Sequence, residues 1–506
     1  MNWLNDLMTV LYPEILLLFA LTIAILLSTS KFNNTIWIFT TIFLITGALH
    51  IIRNQFSISE PMSILGGMFI ADRLSIIFRL ITLVITTLVL LGSVKYLEGF
   101  IHRSEFIILL LTSVLGIMFL IGANDLVAIF IALETLGLSS ILLVGYSKYD
   151  TRSNEASLKY LVNSASASAI FLFGLSILYG LTGSTQLPEI KYKLLQLSQD
   201  GVLSNPLIAV ILILIICGLA FKLSSVPMHM WAPDVYEGAP TPVTAFLSVA
   251  SKAAAFALTL RIMVSLFDFA NNIWQPIIAV IAVLSMVIGN FVALGQIINK
   301  ASIKRLMAYS SIAQIGYILT GIALFTNESL NAATFYLVIY SIMNIGAFLG
   351  IIAFGNETNS DSISDYSGLA QKKPFLAFAL AVCFFNLAGL PLPPAGFIAK
   401  FILIKASFEA GLFGIMLGSI ALITTILSIY YYSYIAKLMI VDKPSLSVQN
   451  INSNKSALGK SGELYAAITL TIIGIFLCTV FSNPILKITN STITELFPGN
   501  NFISFK

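Results

Sequence analysis

FKLSSVPMHMWAPDVYEGAPTPVTAFLSVASKAAAFA, Phe221 to Ala257, sets two lysines, a histidine, an aspartate, a glutamate and four prolines between stretches of apolar helix. Hydrocarbon does not tolerate such a mixture unless its polar groups face protein or water. A charge at a bilayer centre costs roughly 2.5–3.5 kcal/mol on insertion scales, so by default it marks an ion path. The rest of the chain says that hydrocarbon is the surrounding. Of 506 residues, 58% are hydrophobic and 10% charged, with a mean hydropathy of +0.95, against about a quarter charged in a soluble domain. This is the composition of an all-α polytopic membrane protein.

The net charge of +4 says little about partners, because basic residues near membrane helices mainly set topology. The chain has no basic, aromatic-interleaved face and no Gly-rich phosphate loop, which argues against nucleic-acid and nucleotide binding. Cys217, Cys383 and Cys478 each stand singly in an apolar run, without metal or cluster spacing, and read as small packing residues. No cleavable leader or Arg-rich presequence is visible, so the first apolar run is expected to be a permanent helix.

A helix crossing about 30 Å needs roughly 20 apolar residues, and about fourteen such runs are present. They are Pro13–Thr29, Ile36–Ile52, Leu74–Ser93, Phe106–Ile121, Asp125–Tyr146, Leu158–Leu181 and Pro206–Met228. Thr241–Phe267, Ile273–Ile298, Ser302–Phe325, Leu330–Phe354, Phe375–Phe408, Leu412–Ile440 and Leu464–Phe481 complete the set. The loop around Asp442 to Glu463 is polar and expected to be mobile. Lys148, Arg152, Lys304, Arg305, Lys372, Lys373 and Lys437 fall on one side of this topology, against few basic residues on the other. Both termini are therefore expected outside the cytoplasm or its organellar equivalent.

Proline interrupts two runs, the seventh at Ser225–Pro227 and the twelfth at Pro391–Pro394. Paired interruptions point to inverted repeats with a mid-membrane site. The expected division is an N-terminal three-helix segment (1–104), a first five-helix repeat (105–268), a second inverted repeat (269–442), and a polar loop, last helix and short tail (443–506). Each broken helix carries a lysine, Lys222 or Lys400.

Glu134 lies mid-run among apolar neighbours, where a carboxylate switches protonation as a cation approaches or leaves. The plainer reading is a satisfied interhelical contact. Lys222 stands a turn before Pro227, and burial favours the neutral form of a lysine, which suits it to taking up and releasing a proton. Lys252 has small neighbours, Ala250, Ser251, Ala253, Ala254 and Ala255, which leave room for water or close packing. Lys159 serves the same path or snorkels to the headgroups. His229 suits a relay or an interfacial place beside Trp231. Lys304 and Arg305 read as topology anchors, and Asp234 and Glu237 as fixing the Pro-rich turn. No nucleophile–base pair or metal-ligand cluster is apparent.

HMWAPDVYEGAPTPVTAFLSVASK (His229–Lys252), SNEASLKYLV (Ser153–Val162) and KRLMAYSSIAQIGYI (Lys304–Ile318) resemble the N-type (subunit 2) antiporter-like membrane subunit of complex I, the NADH:quinone oxidoreductase family. The resemblance spans nearly the whole chain. It implies fourteen helices with two inverted five-helix repeats and a role in proton translocation. It further implies that Glu134 and Lys222 form a coupling ion pair, with Lys159 near it. Lys252 and His229 would be central relay sites and Lys400 the exit of the second half-channel. It implies no cofactor bound by this chain, with NADH or ferredoxin, FMN, iron–sulfur clusters and quinone handled by other subunits. Partners would be other antiporter-like and small helical membrane subunits, and the setting a bacterial cytoplasmic, mitochondrial inner or thylakoid membrane. Leu390–Phe397, LPLPPAGF, departs from the family's usual proline spacing, and Gln314 stands where many bacterial members have histidine. Two rivals are an antiporter subunit of the same superfamily and a structural spacer. The short polar tail after Phe481 favours the N type over relatives with a long lateral helix.

Overall fold

Helix occupies each of these apolar runs in the computed structural model, which describes residues 8–28, 35–56, 58, 60–100, 102–199, 204–451 and 462–496. In chain order the helices begin with α1 (Tyr12–Ser28), α2 (Ile36–His50), α3 (Arg73–Ser93), α4 (Arg103–Gly122), α5 (Leu126–Val144) and α6 (Thr151–Thr182). Then come α7 (Leu187–Gln199), α8 (Asn205–Leu223), α9 (Trp231–Gly238), α10 (Thr241–Thr259), α11 (Asn271–Ile298) and α12 (Ile303–Leu324). The last are α13 (Asn327–Thr358), α14 (Pro374–Ala388), α15 (Ala395–Glu409), α16 (Gly411–Ile440), α17 (Gly462–Val480) and α18 (Ser482–Leu496). Among the described residues, 12 helical spans are long and apolar enough to cross a bilayer, while α1 and α14 are apolar but shorter. The chain is an all-α, multi-pass integral membrane protein.

Polar residues at run boundaries start these helices by accepting from otherwise unpaired backbone N–H groups. Asp72 caps α3 through Ser75 N at 2.8 Å, Asp125 caps α5 through Val127 N at 2.8 Å, and Thr326 caps α13 through Ser329 N at 3.1 Å. The centre of the bundle is α10, every residue of which is buried. Its alanines and serines let α3, α4, α5, α8 and α13 pack around it. Close approach also joins α11 to α12, where a methyl group at Gly289 would lie 2.6 Å from Ala313 N.

Both expected interruptions are present. The first separates α8 from α9: Ser224 takes a left-handed conformation at φ 58°, and Val226–Pro227 is cis. The second separates α14 from α15: Gly389 ends α14 at φ 85°, and Leu392–Pro393 is cis. The displaced prolines Pro391, Pro393 and Pro394 all fall inside this second gap.

Several features were not foreseen. Met62–Ile64 and Phe69–Ala71 form an antiparallel hairpin, with Ile64 opposite Phe69. Helix α7 is held to the bundle by Lys191, whose Nζ donates to Asp268 at 2.8 Å. The tail after Phe481 is a folded helix, α18, that packs back on α13 and α3. Its Glu495 accepts from Arg73 N at 3.2 Å, so the expectation of a merely polar tail is corrected as far as Leu496. Of the Asp442–Glu463 loop, residues 452–461 lie outside the described residues; the part before them is tied down, with Ser445 Oγ donating to Asp365 O at 2.8 Å. Residues 1–7 and 497–506 are likewise outside.

The N-terminal helices are joined by a buried cluster that hydropathy alone does not reveal. Arg79 of α3 pairs with Glu14 of α1 at 3.0 Å, both 0–1% exposed, and donates to Gln55 Oε1 at 2.6 Å. A second buried pair, Arg261 to Asp72 at 2.9 Å, fastens the irregular turn after α10 to the start of α3.

Candidate functional site

The first interruption ends α8 just after Lys222. Its Nζ is buried and has no hydrogen-bond partner among the described residues. Space for it is made by Gly137 of α5: a methyl group there would lie 3.3 Å from Nζ, with Ser164 Oγ also close. Glu134 is one turn before Gly137 on α5, partly exposed and within electrostatic reach of Lys222. The two do not form an ion pair among the described residues. The structure thus brings the expected partners together and leaves their contact open.

The gap itself is closed by aromatics. Trp231 stacks on Tyr160 at 4.7 Å between ring centres and lies 5.3 Å from Phe221. Its indole N–H donates to Phe221 O at 3.0 Å. Trp231 is 3% exposed, so its ring is packed into the protein at this gap. His229 is also buried, with Nδ1 3.2 Å from Pro227 O. That contact is local, and His229 bonds neither Lys222 nor Lys252.

Lys252 is fully buried in α10. Its Nζ donates to Ser311 Oγ of α12, and Ser311 lies 3.0 Å from the hydroxyl of Tyr340 on α13. The Tyr236 ring is 5.8 Å from Nζ, within range of a cation–π attraction. Beside Ser311 on α12, Ser310 bonds Tyr432, and a turn further on Gln314 accepts from the Tyr336 hydroxyl. Tyr431 donates to Asn290 Oδ1 at 3.2 Å, and Asn290 Nδ2 donates to Tyr317 at 3.1 Å. Tyr317 lies under Lys400, whose Nζ is 4.8 Å from its ring centre. A file of buried hydroxyl and amide groups therefore runs along α12 from Lys252 to Lys400.

Lys400 begins in α15 and reaches back across the second interruption. Its Nζ donates to Ala388 O at 3.0 Å, with Ser428 Oγ at 3.4 Å. The last carbonyls of a helix lack intrahelical partners and carry the negative end of its dipole, so the ammonium caps the half-helix α14. The lysines of the two broken helices differ: Lys222 precedes its gap and has no hydrogen-bond partner among the described residues, whereas Lys400 follows its gap and is docked on it.

Lys159 makes its ion pairs at the protein surface. Its Nζ contacts Glu155 and Asp234, each at 2.8 Å, and is 44% exposed. Arg305 joins Asp234 at 3.3 Å and Glu237 at 2.8 Å, while Lys304 meets Asp361 at 3.0 Å and Ala239 O at 3.3 Å. These groups clasp α9 and the Gly238–Pro242 turn between α6 and α12. Cys383 and Cys478 are buried and Cys217 is half-buried, all unbridged. No group of three or more metal-ligating residues occurs among the described residues.

Sequence reading missed Ser311, Tyr317, Tyr336, Tyr340, Tyr431 and Tyr432, and gave Gln314 no bonding role. A signal existed: Ser311 and Gln314 share one face of α12, and Tyr336 and Tyr340 share one face of α13, inside apolar spans that do not need hydroxyls.

Helices long enough to cross a bilayer, packed around a buried file of lysines and hydroxyls, define a multi-pass membrane protein with ionisable stations in its interior. The chain belongs to the NADH:quinone oxidoreductase/Mrp antiporter transmembrane family, whose profile matches residues 123–428. NAD(P)H-quinone oxidoreductase subunit 2 of Gloeothece citriformis is 45% identical over 441 residues, 86% of this chain and 84% of that protein. The Synechococcus elongatus protein of the same name is 44% identical over 464 residues, 91% of this chain and 86% of its own. A chain of respiratory complex I from Thermus thermophilus, solved with bound aureothin, superposes with a TM-score of 0.75 at 28% identity, covering 94% of this chain and 98% of that one. A chain of an Mrp complex from Dietzia shares the fold, with a TM-score of 0.83 at 23% identity over 98% of each chain.

Proposed function

We propose that this chain is a proton-translocating membrane subunit of an NAD(P)H- or ferredoxin-dependent quinone oxidoreductase, driven by redox chemistry in other subunits. The observation that carries the reading is the set Lys222, Lys252 and Lys400, three buried lysines on interrupted or small-residue helices. Intramembrane lysines are costly and lie on ion pathways by default, and a spacer has no need of them. The subunit 2 relatives, 45% and 44% identical, favour the oxidoreductase over a free-standing antiporter. The likeness to the Mrp chain concerns fold alone.

In this reading Glu134 and Lys222 open and close as a charge pair, and the present geometry corresponds to its open arrangement. Moving positive charge toward Lys222 favours proton release from Lys252, since like charges in a low-dielectric interior repel strongly. Ser311, Tyr340 and the rest of the α12 file connect Lys252 with Lys400. Lys159 and His229 support the first half, Lys159 through the clasp at Asp234 and His229 through the turn at Pro227. NADH or ferredoxin, FMN, iron–sulfur clusters and quinone belong to other subunits, and antiporter-like and small helical membrane subunits flank this one. The reading includes fourteen crossings in two inverted five-helix repeats within the stated bounds. Both termini then lie on the side opposite the cytoplasm or its organellar equivalent.

The test is proton uptake by vesicles containing the assembled complex. Lys222→Ala should lower the protons moved per electron at unchanged complex content. Parental pumping by that variant would sink the role proposed for Lys222.

A further inference from the structure

We infer that Gln314 is a positioning residue that holds the broken end of α14 in place whatever the charge on Lys400. The inference rests on the proton-translocating reading of Lys400. The last four carbonyls of any helix need partners from outside it, and at α14 all four can be accounted for. Phe385 O accepts from Gly389 N at 3.1 Å and Leu390 N at 2.9 Å, and Asn386 O accepts from Gly389 N at 3.0 Å. Leu387 O accepts from Gln314 Nε2 at 3.0 Å. Ala388 O accepts from Lys400 Nζ at 3.0 Å and Ser428 Oγ at 3.3 Å.

Two adjacent carbonyls are therefore served by side chains of opposite kind. The lysine donor changes charge in the proposed cycle, and its attraction to the half-helix end changes with it. The amide donor does not titrate, so its bond persists. Its orientation is set, because its oxygen accepts from the Tyr336 hydroxyl, and Gln314 is 0% exposed, leaving no bulk water to replace it. Removing the amide would strand both Leu387 O and the Tyr336 hydroxyl in a buried place.

The first interruption shows the same device independently. There the non-titrating donor is the Trp231 indole, which bonds Phe221 O at 3.0 Å in the last turn of α8, next to Lys222. In both gaps a permanent N–H donor from beyond the half-helix fixes a carbonyl within two residues of the end or of the lysine.

The experiment uses the complete complex reconstituted in liposomes, reading quinone-reductase turnover and protons per electron together. Gln314→Met, of similar length without an N–H, should lower protons per electron by at least about threefold, the worth of most of one hydrogen bond, at unchanged complex content. Gln314→His, which keeps an N–H, should recover most of that loss. A parental ratio for Gln314→Met, or a Gln314→His as impaired as Gln314→Met, would overturn the inference. If Gln314→Met does not assemble, Tyr336→Phe, which frees the amide to turn, reads the same property. A fall of about twofold or more supports the pin, and a parental ratio overturns it. Lys400→Ala is run alongside: if it pumps as the parent does, the reading of Lys400 fails and the inference falls with it, whereas a deficient Lys400→Ala beside a parental Gln314→Met defeats the inference alone.

Discussion

Lys400 Nζ donates to the carbonyl oxygen of Ala388 at 3.0 Å, across the interruption that divides their helix. One side chain thus caps the half-helix α14 and stands at the far end of the buried polar file. Capping needs only a cation, whereas carrying a proton needs a group that can lose its charge.

Lys400→Arg separates the two roles. Arginine keeps the cation and the donors but is always protonated in proteins. The variant should assemble normally and lose translocation about as severely as Lys400→Ala, at least ~10-fold by the scale of removing a general acid–base group. Proton uptake by vesicles checks it, and pumping near the parental level would show that Lys400 acts as a fixed charge.

Gly389→Ala strains both backbone and lysine. The residue sits at φ 85°, and its new methyl group would lie 2.8 Å from Lys400 Cδ. The left-handed conformation alone costs roughly 1–2 kcal/mol for a non-glycine residue. The purified complex should therefore melt at a lower temperature, with reduced protons per electron.

Removing one partner of the buried Arg79–Glu14 pair, 3.0 Å apart, should cost about 3–5 kcal/mol, because the other charge is left without compensation. Arg79→Ala should lower the thermal midpoint of the complex or its yield in membranes. Arg79→Met combined with Glu14→Leu should restore most of the loss. A double variant as damaged as the single one would count against the pair as the cause.

Lys159 offers the contrast. Its pairs with Glu155 and Asp234 are screened by water, since its side chain is 44% exposed, and such pairs contribute about 0–1 kcal/mol. Lys159→Met should leave the thermal midpoint nearly unchanged and reduce translocation much less than Lys222→Met. Equal loss in the two variants would return Lys159 to the main path.

The places of Lys222, Lys252 and Lys400 were legible because a charge inside an apolar run is costly wherever it is found. The two interruptions were legible because proline cannot continue a helix. The Glu134–Lys222 contact was legible as proximity but not as an open pair, since side-chain rotamers decide the last few ångströms. Gln314 read as the loss of a titratable site; its partner Leu387 lies 73 residues away, and only the rotation and seating of α12 against α14 reveals the bond. The helix after Phe481 was hidden by its polar outer face, because amphipathic helices lack the continuous apolar run used to find crossings.

By itself the sequence determined that the chain crosses the membrane many times, where two of its helices break, and which lysines lie inside. Those follow from local chemistry, the cost of charge in hydrocarbon and the missing N–H of proline. Only the tertiary structure decided what each lysine bonds: no group among the described residues for Lys222, Ser311 for Lys252, and the open end of α14 for Lys400. Hydrogen bonds need atoms within about 3 Å at a set angle, and between distant helices packing alone supplies that.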